Sequence, residues 1–323
     1  MLATFRERLQ LSASIAVVSL GFLWGAGFPA IDVVVTSLPP LGAAGFRYAV
    51  SGCIVLGYAA ATTDRLFPRT QRELLGITIV GGFMFGGYQA GLYLGTQYVS
   101  GAVASVVTTM SPVVAALAAV PILGESRGLV DLCGFVLGLA GVVILAQPSP
   151  GTGSVTATAI GVSLIFFGTV LFAIGSVIVQ LFDEGLPVES LQGWAMVVGA
   201  GILLSGGIVR GETVPAFQSL SFDVVGALVY ITLVAGAGGY LLFFRLVRHV
   251  GATETTLVAY LEPLSATLVS VALFDHRIAS ATIVGFLAIV GGFTLVSRET
   301  MRRTIDEIRQ TETETSSHPN RER

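Results

Sequence analysis

The chain has 323 residues, of which 53% are hydrophobic and only 11% charged, with a formal net charge of −3. An average soluble domain carries about 25% charged residues, so a soluble enzyme, a disordered chain and a disulfide scaffold are all excluded. A porin-type barrel is excluded as well, because its strands would alternate apolar and polar residues.

Along the chain the charges are bunched. Residues 9–31, 74–124, 132–182, 190–209, 224–244 and 278–297 carry none. A helix needs about 20 apolar residues to cross the bilayer core, so each of the two longest runs is two crossings and a short turn. Ten spans result: 13–35, 40–61, 74–96, 101–123, 128–146, 157–182, 190–209, 222–244, 250–274 and 278–297. The breakers between them are chemically sensible. Leu38-Pro39-Pro40 separates spans 1 and 2, Gln97 to Gly101 separates 3 and 4, and Gln147-Pro148-Ser149-Pro150-Gly151 separates 5 and 6. Arg6 and Arg8 precede an apolar stretch too long for a signal-peptide core and without a convincing cleavage site, which predicts a retained first helix. Cys53 and Cys133 both fall inside spans, so neither a structural disulfide nor a metal site is expected of them.

All 17 basic residues are arginines, and they set the orientation. With the N-terminus inside, the inner segments hold 14 of them: Arg6, Arg8, Arg65, Arg69, Arg72, Arg127, Arg245, Arg248 and six in the tail. The outer loops hold Arg210 and Arg277, and Arg47 lies within a span. Basic residues mark cytoplasmic segments, which predicts a multi-pass cell-membrane protein with both termini cytoplasmic. In the tail, Met301, Ile305 and Ile308 recur at helical spacing. Residues 298–323 are either a short surface helix near anionic headgroups or a solvated tail.

The two halves resemble each other. Leu38-Pro39 through Gly45-Phe46 lines up with Leu186-Pro187 through Gly193-Trp194 at an offset of 148. Gly101-Ala102 lines up with Gly251-Ala252 at 150; Pro112 with Pro263, and Gly134-Phe135 with Gly285-Phe286, at 151. The expected organisation is a cytoplasmic segment 1–12, a first repeat 13–147, a second repeat 157–297 and the tail. Each repeat holds five helices, and because five is odd the second enters the membrane inverted. The fold class is therefore an all-α polytopic membrane protein of ten transmembrane helices in two inverted five-helix repeats. That is an architecture of secondary transporters, with the site at the repeat interface.

Trp24-Gly25, Gly45-Phe46-Arg47, Ser111-Pro112, Leu123-Gly124-Glu125, the Gly134…Gly141 helix and the second-half Leu261-Glu262-Pro263 appear in a familiar order. In that order they resemble the EamA-type branch of the drug/metabolite transporter superfamily, over about residues 13–297. The resemblance implies ten helices, a central cavity between the halves, and transport of small organic solutes, often export of amino acids or related metabolites. Three positions depart from the pattern. Asp32 stands where the family often has a basic residue, Ala195 at the second-half equivalent of Arg47, and Asp275 at that of Glu125.

Ionisable groups inside a span are functional candidates because leaving them there costs about 2.5–3.5 kcal/mol on insertion scales. Arg47 lies about seven residues, ~10 Å, below the outer end of its span. It could grip a substrate carboxylate or phosphate, snorkel outward, or pair with Asp32. Glu254, Glu125, Asp275 and Asp131 sit at span ends and read as anchors. Pro112 and Pro263 deny hydrogen bonds to the carbonyls of Thr108 and Ala259. They predict two helix breaks facing a cavity, where irregular backbone is tolerated. Glu262, beside the second break, could bind a substrate amine, carry a coupling proton or pair structurally with Arg47. Tyr88, Tyr93, Tyr240, Phe243 and Phe244 make the central spans aromatic. By the resemblance these line the cavity; otherwise they pack the core, as does Trp24. Gln89 either bonds a neighbouring helix or a solute. The expected substrate-binding set is Trp24, Arg47, Tyr88, Gln89, Tyr93, Thr108, Ser111, Tyr240, Tyr260 and Glu262. The spacings Gly21/Gly25, Gly82/Gly86 and Gly134/Gly138 read as close helix packing.

His-Glu-x-x-His, Walker and Gly-x-Ser-x-Gly signatures are missing, and His249, His276 and His318 lie at membrane edges or in the tail. The expected function is secondary transport of a small organic metabolite, with export favoured; a non-transporting sensor or assembly subunit is the alternative. The expected partners are a small-molecule solute and the lipid bilayer, with proton coupling open. No enzyme activity, cofactor, metal or nucleic acid is expected.

Overall fold

The computed structural model describes residues 15–124, 129–145, 154–182, 185–213, 220–250, 255, 258–274 and 280–296. Apart from a 3-10 turn at Val179–Phe182 and the internal irregularities below, the described elements are α-helices, and among the described residues there is no strand. In chain order they are α1 (Ile15–Val35), α2 (Pro40–Thr62), α3 (Gln71–Gly95), α4 (Gly101–Leu123), α5 (Leu129–Leu145), α6 (Val155–Ile178), α7 (Val188–Val209), α8 (Phe222–Val247), α9 (Val258–Phe274) and α10 (Ser280–Val296). Seven are long and apolar enough to cross a membrane; α5, α9 and α10 carry shorter apolar stretches.

The helix ends follow local chemistry. Pro40 occupies the first turn of α2, where its missing N–H costs nothing. Thr70 and Glu73 close a capping box on α3, and Arg65 pairs with Glu73. Gly124, at φ 73°, ends α4 in the left-handed conformation that glycine adopts without a Cβ penalty. Two other helix starts are capped from a distance by carboxylates, which suit the positive end of the helix dipole. Asp32 accepts the Gly101 N–H at 2.6 Å, and Glu212 accepts that of Gly42 at 2.8 Å.

Glycine governs the packing. The two most extensive helix pairs are α2 with α7 and α5 with α10. A Cβ on Gly45 would stand 2.7 Å from Leu204 Cγ, and one on Gly193 2.8 Å from Leu56 Cγ. A Cβ on Gly141 would stand 2.7 Å from the Gly285 carbonyl oxygen, while Gly134 and Gly292 meet further along. In both pairs the numbering rises along one helix as it falls along the other, so each pair is antiparallel. Gly21 and Gly25 of α1 lie against Leu261, Glu262 and Ser265 of α9, so that spacing is a packing feature. Tyr48, Phe85 and Tyr93 are among the largest fully buried side chains, while Phe46, Ile54, Phe167 and Ile208 face outward. An apolar exterior of this extent is a membrane-facing one.

Among the described residues, four helices are irregular inside. Residue 26 interrupts α1. Gly81–Gly87 of α3 and Tyr230–Gly238 of α8 are π-helical. In α4, Thr109 and Met110 bond back only three residues, to Val106 and Val107, splitting the helix before Ser111-Pro112. The break expected at Pro112 is therefore present. The one expected at Pro263 is not: α-helix runs unbroken over Val258–Phe274 with Pro263 inside it. A proline removes only its own N–H bond, and here the residues around it keep helical geometry. Glu125, Glu254, Asp275, His276, His318 and the tail lie outside the described residues.

Candidate functional site

A cavity enclosing about 710 Å³ between atoms, part of it open to the exterior, lies among α1, α2, α3, α4, α6, α8 and α9. Its wall is aromatic: Trp24 and Phe28 from α1, Tyr88 from α3, Phe172 from α6, and Tyr240 and Phe243 from α8. Trp24 packs its ring 4.8 Å from Tyr240 and 5.1 Å from Phe243, and Tyr88 lies 4.9 Å from Phe172.

Arg47 projects from α2, one position from the outward-facing Phe46, and is only 4% exposed. Its guanidinium donates to Tyr93 Oη and Tyr48 Oη, both at 3.0 Å. It also sits 4.5 Å from the centre of the Tyr48 ring, a contact that favours a desolvated cation. Its Nε has no hydrogen-bond partner, and among the described residues no carboxylate pairs with it. The snorkelling and structural-pair readings of Arg47 are therefore both corrected. The side chain is inside the bundle, and Asp32 is engaged by Gly101 instead.

Gln89 is a second incompletely satisfied group in the wall. Its Nε2 donates to Tyr240 Oη at 3.2 Å, while its buried Oε1 has no partner among the described residues.

Glu262, 6% exposed, enters the cavity from α9, whose backbone approaches α1 at Gly25. Its Oε2 lies 3.4 Å from Thr108 Oγ1 at the break in α4. The Thr108 hydroxyl also donates to the Ser105 carbonyl at 2.8 Å. A threonine hydroxyl has one hydrogen to give, so Thr108 donates to either the Ser105 carbonyl or Glu262 Oε2 at any moment.

Eight of the ten expected residues line this cavity: Trp24, Arg47, Tyr88, Gln89, Thr108, Ser111, Tyr240 and Glu262. Tyr93 stands behind the wall as a partner of Arg47, and Tyr260 is not in the lining. Pro112 and Pro263 also lie outside it. Sequence reasoning missed the contribution of α6, Thr169 and Phe172, together with Phe28 and Thr255. A signal for Phe172 exists, since it lies 148 residues after Trp24, the offset that relates the adjacent segments.

The EamA-like transporter family matches residues 11–147 and again 159–298. The chain belongs to the EamA-like transporter family. It is a membrane transporter, and relatives in Escherichia coli and Bacillus subtilis are named as transporters. It is 27% identical over 296 residues to an uncharacterized inner membrane transporter of Escherichia coli (strain K12), YedA, covering 91% of this chain and 92% of that protein. It is 25% identical over 294 residues to the uncharacterized Bacillus subtilis transporter YvbV, covering 89% and 93%. A solved crystal structure with 18% sequence identity superimposes with a TM-score of 0.65, covering 90% of this chain and 98% of that one. That likeness concerns the fold alone. Within this EamA-like chain, the cavity brings together helices from both matched stretches.

Proposed function

We propose that this EamA-like protein is a secondary transporter of a small organic metabolite, an amino acid or related solute. It works as an exporter by alternating access, in the cell membrane with both termini cytoplasmic. Ten crossings in two inverted five-helix repeats build it. The matching of one family to two successive stretches supports the repeat. So does the antiparallel meeting of Gly134 with Gly292 and Gly141 with Gly285, because adding 151 to one member of each pair gives a member of the other. Contacts that exchange in this way fit a two-fold axis across the helices, the symmetry of inverted repeats.

The observation that carries the reading is the cavity's uncompensated chemistry. One half supplies a buried guanidinium with an unpartnered Nε, and the other supplies a buried carboxyl group. A buried charge without a counter-charge is costly, and an incoming anionic group relieves that cost at Arg47. Glu262 then serves the solute's amine or carries the coupled proton. The charged and titratable neighbours in the same wall are Arg47 of α2, Tyr88 of α3 and Tyr240 of α8, beside the uncharged Gln89, Thr108, Ser111, Thr169 and Thr255.

Purified protein in proteoliposomes, loaded with a panel of amino acids under an imposed pH gradient, tests this. Wild-type protein is expected to move at least one of them. Arg47→Lys is expected to insert normally but to lose transport at least about tenfold, because a point charge cannot replace a planar fork. Glu262→Gln is expected to fold and to lose the pH dependence of the flux. Absence of flux across the panel would favour a non-transporting sensor or assembly subunit. Wild-type flux with unchanged pH dependence in Glu262→Gln would remove proton coupling from this residue.

A further inference from the structure

We propose that the π-helical segment of α8 is a latched positioning element: Ser51 of α2 and Trp24 of α1 hold it, and its register aims Tyr240 and Phe243 into the cavity. A π turn holds an extra residue relative to an α turn and recurs at functional sites. In Tyr230–Gly238 the widened backbone offers carbonyls to outside donors. Ser51 Oγ donates to the Thr232 carbonyl at 2.7 Å, and Trp24 Nε1 donates to the Ala235 carbonyl at 3.0 Å.

Both donors dock on glycines. A Cβ on Gly236 would stand 2.6 Å from Ser51 Oγ, and one on Gly239 2.5 Å from Trp24 Nε1. Any larger residue at either place would displace its donor. The segment ends at Gly238, and the cavity residues Tyr240 and Phe243 follow directly. Conversion of the segment to α-helix would turn them by about one residue's rotation, roughly 100°, away from the wall they now form.

Ser51 is fully buried, outside the cavity and one helical turn beyond Arg47. Its effect on the site is therefore exerted through α8. Trp24 is both wall and latch, because its ring also packs on Tyr240 and Phe243. A solute pressing on the indole bears on the bond that fixes α8. The inference goes beyond the transport reading, and its test needs no solute.

Amide exchange and tryptophan fluorescence of the full chain in lipid nanodiscs provide that test, the fluorescence in a Trp194→Phe background where Trp24 is the sole indole. A buried hydrogen bond contributes about 0.5–1.5 kcal/mol net. Ser51→Ala is therefore expected to raise exchange of amides 232–239 up to about tenfold, with amides 81–87 unchanged. It is also expected to shift the Trp24 emission, although Trp24 itself is untouched. Trp24→Phe, which keeps an aromatic ring and removes the donor, is expected to raise exchange in the same amides and provides the answer if Ser51→Ala does not fold. Unchanged exchange at 232–239, an equal rise in both π segments, or an unshifted Trp24 emission in Ser51→Ala would each overturn the latch.

Discussion

Both α3 and α8 widen into π geometry just before the residues they give to the cavity, Tyr88 and Gln89 in one, Tyr240 and Phe243 in the other. They are held by different physics. In α8 the widened backbone is tied by two side-chain hydrogen bonds from α1 and α2. In α3, Gly81–Gly87 is wedged against α6 and α7 through glycine, and no such side-chain tie is present among the described residues. A Cβ on Gly81 would stand 2.7 Å from the Ala195 carbonyl and 2.8 Å from Val198 Cβ, and Gly175 lies equally close to Met84. A hydrogen bond can be exchanged for another at little cost, whereas interlocked backbone has nothing to exchange. The α3 segment is thus built to stay, and the α8 segment can be released. The asymmetry extends to the side chains 148 residues apart: where α2 carries Arg47, α7 carries Ala195, whose carbonyl lies against Gly81.

The largest expected effect is on the wedged side. Gly81→Val forces a branched side chain into backbone atoms that cannot move away, and overpacking of this kind costs about 3 kcal/mol. Thermal unfolding in detergent should show a strongly destabilised protein. A near-normal unfolding temperature would mean that α3 has the slack attributed here to α8 alone.

An intermediate effect is expected where the two π-bearing helices touch. Gln89 of α3 donates to Tyr240 of α8 at 3.2 Å, the one polar tie between their cavity faces among the described residues. In a double-mutant cycle of Gln89→Leu and Tyr240→Phe, the interaction energy should come to about 1 kcal/mol. Each single variant removes the bond but leaves one of its polar groups buried, whereas the double variant removes both. Strict additivity would show that the helices are not coupled through this bond.

The sequence made much of this legible and hid the rest for identifiable reasons. Charge-free runs and the breakers Leu38-Pro39-Pro40 and Gln97 to Gly101 locate the helix ends, and α2 and α4 begin at the expected Pro40 and Gly101. Polar residues in apolar surroundings are conspicuous, so Arg47, Gln89, Thr108 and Glu262 could be singled out without coordinates. The π segments are invisible to the same reading, because Gly81–Gly87 is as apolar and glycine-rich as any packed α-helix here. Ser51 is equally silent, since a serine in a membrane helix most often bonds within its own helix, and only the structure turns it toward Thr232. Pro263 misled for the opposite reason. The residue type is a strong breaker, yet α9 continues through it.

The smallest effect is expected on the latched side, and it completes the contrast. Gly238 closes the α8 segment, and a Cβ placed on it would meet only the Leu233 carbonyl at 3.4 Å, an ordinary van der Waals contact. Nothing in its surroundings requires glycine, and its backbone is not in the left-handed region. Replacing such a glycine by alanine narrows the unfolded ensemble without straining the folded one, which is worth about 0.4–1 kcal/mol. Gly238→Ala should therefore unfold at the same temperature as the parent protein or slightly above it. The Ser51 and Trp24 ties lie at Thr232 and Ala235, outside the new methyl group's contact, and should remain. A loss of more than about 1 kcal/mol would mean that α8, like α3, depends on backbone contact through its glycines. The difference between a wedged segment and a latched one would then be gone.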